Sequence, residues 1–190
     1  MFALIFGLSF LANAQDVQKD QPKGYQFTDI KRLPATSVKD QARAGTCWSW
    51  SGISFFESEM IRMGKEPIDL SAMYIVRHAY SDKATKFVRL HGNMNFAVGG
   101  AFCDVMHVIK NYGIVPMDVY KGLNYGEPNH AFGEIDDVLA GYINAVIKNS
   151  NKKLSTAWKK GFDGILDAYL GEEPEKFEYK GKEYTPRTFA

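Results

Sequence analysis

The chain has 190 residues, 45% of them hydrophobic, with 23 basic against 22 acidic side chains. That balance suits one globular core of ordinary size. It gives no electrostatic case for nucleic acid or an anionic membrane surface as partner.

Residues 1–14 stand apart. Phe2 to Leu11 form an apolar run too short to span a bilayer comfortably, and it ends in Ala12-Asn13-Ala14. Small-x-small is the pattern of a signal-peptidase site, so we expect a signal peptide over 1–14, cleavage before Gln15 and export. A buried N-terminal segment is the alternative. No other stretch reaches transmembrane length. Residues 15–38 are polar and turn-like, with Gln21-Pro22-Lys23-Gly24 and Leu33-Pro34-Ala35-Thr36, and read as a lead-in to the domain at 15–190.

Lys39 to Ser54 organise the rest. Gln41 lies six positions before Cys47, Ala44-Gly45-Thr46 lead into the cysteine, and Trp48 follows it. Ile53, Phe56, Met60 and Met63 then recur at helical spacing, which puts Cys47 at a helix start. Unpaired N–H groups and the macrodipole favour a thiolate there. The stretch resembles the papain-like cysteine peptidases. Their fingerprint is C-G-[SA]-C-[WY]; this chain keeps Gly45, Cys47 and Trp48, has Thr46 where Ser or Ala is usual, and lacks the upstream cysteine. Gln41 matches the family glutamine that helps form the oxyanion hole. The resemblance makes Cys47 and Gln41 the catalytic candidates and puts Trp48 in the substrate site.

Asp69-Leu70-Ser71 opens a second helix with Ala72, Ile75, Val76, Ala79 and Tyr80 on one face; Ser71 or Asp69 is its N-cap. Residues 81–100 read as a loop ending in Gly99-Gly100. Phe102, Val105, Met106 and Ile109 mark a third helix over 101–112, stopped by Gly113 and Pro116. The succession Gly-Gly, helix, Tyr-Gly-Ile-Val-Pro is similar to the aminopeptidase C (bleomycin hydrolase) branch. So is the short lead before Cys47, which leaves no room for a long propeptide. By that resemblance Gly99 and Gly100 line the substrate cleft, where backbone groups pair with an extended peptide. Glycines that merely permit a tight loop would read the same way.

Residues 132–148 and 153–170 both carry helical patterns and read as a helical hairpin. Phe177 to Tyr184 alternate around a turn, a small β-hairpin. The expected fold is α+β: the mainly helical N-terminal half of a papain-like peptidase, with the β-rich half largely missing. The resemblance covers 26–190 and is strongest at 38–56 and 97–120.

A cysteine peptidase needs an imidazole base and a group to orient it, roughly 130–150 residues beyond the cysteine in compact members. The last histidine here is His130, within Asn129-His130-Ala131. It sits too close to Cys47 in sequence, before a polar-faced helix, so we reject it as the base. His78 and His107 lie in helical patterns and His91 in a loop. The expectation is a truncated chain lacking the catalytic His and Asn. No H-x3-H or H-E-x2-H spacing occurs, so neither a metal nor another cofactor is indicated. Peptides are the expected substrates, and the branch implies a possible hexamer. Two alternatives stand: a non-catalytic secreted fragment or pseudo-peptidase that binds peptides or partners, and a helical domain stabilised by a Cys47–Cys103 disulfide.

Overall fold

The structure is a computed structural model that describes residues 24, 25 and 27–190. The signal peptide assigned to 1–14 lies outside the described residues. The chain divides into two compact units, 1–32 and 33–190. The described residues of the first contain no helix or strand.

The second unit holds six helices and one hairpin: α1 (Cys47–Arg62), α2 (Ala72–Arg89), α3 (Phe102–Tyr112), α4 (Gly133–Ile147), α5 (Ala157–Leu170), β1 (Phe177–Tyr179), β2 (Lys182–Tyr184) and α6 (Pro186–Phe189). The mostly helical content with one small sheet is the α+β fold expected of a papain-like N-terminal part.

Helix α2 is the hub, packed by α1, α3, α4 and α5. Its N-cap is Ser71, whose Oγ accepts the Tyr74 N–H at 3.0 Å. The sequence suggested one apolar face, but every residue from Ala72 to Ser81 is buried. Helices on several sides leave no face for water, so the polar members need partners inside. Arg77 pairs with Asp167 at 2.5 Å and Glu173 at 2.9 Å. Ser81 donates to Asp163 at 2.7 Å. His78 stacks on Tyr112 with centroids 4.2 Å apart.

Helix α1 also departs from the pattern. It buries Trp48, Ser49, Gly52, Ile53 and Glu57, while Met63 is exposed. The aromatics Phe55 and Phe56 instead meet Phe102 of α3, at 5.3 and 5.5 Å between ring centroids. The helical hairpin forms as expected, α4 burying Ile135, Leu139 and Ile143 and α5 burying Phe162, Leu166 and Leu170. The helix α5 begins at Ala157, later than the expected 153.

Strands β1 and β2 pair antiparallel with Phe177 opposite Tyr184. The two residues between them, Lys180 and Gly181, have φ of 52° and 75°. Two positive φ values are what a two-residue turn needs to match strand twist. The short helix α6 was not foreseen. Thr185 caps it, and the Pro186 carbonyl accepts the Ile114 N–H at 3.1 Å. Gly113 makes that docking possible, since a Cβ there would lie 2.2 Å from the Pro186 backbone.

Candidate active site

Cys47 is the first residue of α1, exposed and free. A tight turn delivers it. Asp40 Oδ1 accepts the Ala42 N–H at 2.7 Å, Ala42 takes φ 49°, and the Ala44 N–H returns to the Gln41 carbonyl at 3.2 Å. Gly45 follows at φ 66°, a left-handed conformation that a side chain would strain. Gln41, half-buried, and Cys47 thus stand at the two ends of one short loop.

Thr46 is the N-cap, yet its side chain caps nothing. It is buried, and its Oγ1 accepts the Trp50 indole N–H at 3.1 Å. Among the described residues the Cys47 N–H makes no hydrogen bond. That leaves a backbone donor at the helix start open to an acceptor from outside.

Beside the turn runs the segment Ala97–Gly100. Trp48 is buried and donates its indole N–H to the Val98 carbonyl at 2.9 Å. A Cβ at Gly100 would fall 2.5 Å from the Trp48 ring, so only glycine lets the backbone lie on it. Gly99 has open space beyond it, and both glycines are exposed. Among the described residues the N–H and carbonyl of Gly100 have no partner. Trp48, expected in the substrate site, is thus largely covered by this segment: its ring carries the backbone and offers little area of its own.

Two clamps hold the turn. Arg43 N–H donates to the His130 carbonyl at 2.9 Å, and Phe132 N–H donates to the Arg43 carbonyl at 3.2 Å. On the other side Glu57, its side chain fully buried, accepts from the Leu70 N–H at 2.8 Å, Thr36 Oγ1 at 2.5 Å and Lys39 Nζ at 2.6 Å. Lys39 also pairs with Asp69 at 2.8 Å. The lead into Gln41 is thereby tied to α1 and to the entry of α2.

No hydrogen bond or ion pair joins any histidine to Cys47 among the described residues. The His130 imidazole packs edge-on against Trp50 and Phe132 with Nδ1 buried and unpartnered, and burial pushes its pKa down. His78 is buried in the core; His107 contacts Asp82 at 3.2 Å on the surface. Cys103 is exposed and free, so no Cys47–Cys103 disulfide forms. Among the described residues no group of three or more His, Cys, Asp or Glu could hold a metal. A 540 Å³ cavity lined by Arg43, Tyr125, Glu134 and Tyr169 does not include Cys47; the thiol stands on an open surface.

Residues 22–159 match the family described as papain family cysteine protease. The chain belongs to the papain family. No curated protein matches it. Among solved structures 22 chains match. One is the crystal structure of PepW from Lactobacillus rhamnosis, at 20% identity and TM-score 0.56, covering 83% of this chain and 43% of PepW. The papain-family chain thus spans less than half of PepW's length, and at that identity the likeness concerns the fold. Among the described residues no helix is long and apolar enough to cross a membrane.

Proposed function

We propose that the protein is the nucleophile-bearing part of a cysteine peptidase of the aminopeptidase C type. The observation that carries this reading is an exposed Cys47 at the first turn of α1, beside a Gly99-Gly100 segment laid on Trp48. Peptide substrate pairs with the free backbone groups of Gly100 in an extended conformation. Cys47 Sγ attacks the scissile carbonyl carbon, and the oxyanion is held by the Cys47 N–H and the Gln41 amide. The C–N bond breaks, the amine leaves with a proton from an imidazolium, and water hydrolyses the thioester. None of the four histidines hydrogen-bonds to Cys47, and in this reading the imidazole is supplied from beyond these 190 residues. Export rests on residues 1–14, and a hexameric assembly on the resemblance to the aminopeptidase C branch.

The test is the intact mass of the protein from its native source, before and after a peptidyl epoxide. One adduct, mapped to Cys47, on a species heavier than 21.4 kDa is the expected result. No adduct leaves a peptide-binding domain without catalysis, the reading favoured by the absence of a histidine at Cys47.

A further inference from the structure

The geometry points to Lys83 as a positioning residue that pins the peptide-binding segment; as a statement about substrate, this rests on the peptidase reading above. Lys83 projects from α2 beneath the segment. Its ammonium donates to the Gly99 carbonyl and, at 3.4 Å, to the Ala97 carbonyl. Between them the Val98 carbonyl takes the Trp48 indole at 2.9 Å. Three consecutive carbonyls are thus held from below, so the backbone is bent there and cannot rotate its peptide planes freely. The Val98 side chain also abuts Gly45, 3.2 Å from where a Cβ would stand. The segment is therefore fixed to the nucleophile turn as well as to Trp48.

The consequence falls on Gly100. With carbonyls 97 to 99 engaged on the protein side, Gly100 keeps a free N–H and a free carbonyl. Those are the groups an extended peptide needs, held ready before it arrives. A lysine suits this place for two reasons. Its ammonium has three donors for two carbonyls. It also lies 5.4 Å from the centroid of the Trp48 ring and 5.5 Å from that of Tyr80, where cation–π attraction offsets its loss of water. A neutral side chain would have the length without the charge-assisted bonds.

The experiment compares wild type, Lys83→Met and Lys83→Arg with two reagents for Cys47: a peptidyl epoxide, which must seat on the segment, and iodoacetamide, which need not. Lys83→Met is expected to slow the epoxide on the order of tenfold with iodoacetamide unchanged, and Lys83→Arg to recover most of the rate. Amide hydrogen exchange of residues 97–101 is measured on the same proteins and should quicken in Lys83→Met alone. Unchanged exchange and an unchanged epoxide rate would overturn the proposal, as would equal slowing of both reagents. If wild-type Cys47 reacts with neither reagent, the peptidase reading fails, and hydrogen exchange still decides whether Lys83 pins the segment.

Discussion

Replacing Gly100 by alanine puts a methyl group against an aromatic ring that has nowhere to go. The new Cβ would stand 2.5 Å from two Trp48 ring carbons and 2.9 Å from a third. Ordinary contact lies near 3.5 Å, so ring and backbone must separate by roughly 1 Å. The ring is 8% exposed and anchored through its N–H. It cannot retreat into a close-packed interior, so the segment lifts and the Trp48–Val98 bond stretches. Overpacking of this kind costs about 1–3 kcal/mol, and the lost hydrogen bond about 1 more. We expect Gly100→Ala to be less stable by about 2–4 kcal/mol in urea unfolding followed by tryptophan fluorescence, with slower peptidyl-epoxide labelling of Cys47. Gly99 is the control one position away, with nothing within 4 Å of its would-be Cβ. Gly99→Ala should be neutral or slightly stabilising, because alanine narrows the unfolded ensemble. Equal stabilities for the two variants would refute the account of Trp48 as a fixed floor.

Two further outcomes are expected. Glu57→Ala strands the Leu70 N–H and removes one partner of Lys39, which keeps Asp69, so a loss of about 1–3 kcal/mol is expected in denaturant unfolding; Glu57→Gln, whose amide oxygen can still accept from Leu70, should lose less. A Glu57→Ala loss below about 1 kcal/mol would show the network to be dispensable. His78 is held neutral by burial and by the Arg77 guanidinium, with its pKa pushed down to about 3, although a Glu173 oxygen lies 3.3 Å away. Arg77 occupies the same carboxylate oxygen, which explains why the carboxylate does not win. A depressed imidazole pKa means the unfolded chain takes up a proton that the native state refuses. Stability is therefore intact above pH 6.5 and falls by about 1.4 kcal/mol per unit as pH drops from there toward 3. His78→Gln should flatten that part of the stability–pH curve; parallel curves for variant and wild type would contradict it.

Local chemistry was readable in the sequence where one residue type has one use. Ser71 before an apolar run, Gly113 after one, and the Lys180-Gly181 turn are such places, and each stands where expected. The Gln41–Cys47 spacing and the Gly99-Gly100 pair marked stretches that the fold draws around the start of α1. What escaped was set by neighbours remote in sequence. The burial of Arg77 and His78 is one such case, because their partners Asp167 and Glu173 arrive from α5 and just beyond it. The roles of Lys83 and Glu57 are hidden for the same reason: no periodicity reveals a carbonyl or an amide waiting across a gap. Helix α6 is too short to carry a pattern and is defined by its dock on Gly113.

The bond between Arg43 and the His130–Phe132 stretch bears on how the molecule is made. The turn that carries Cys47 is among the first parts of the packed unit to leave a ribosome, and the segment that clasps it is written far downstream. Loop closure over such a span comes late, after local helices have formed. A nascent chain therefore carries the Cys47 thiol unclasped until the entry to α4 has emerged and folded back onto Arg43.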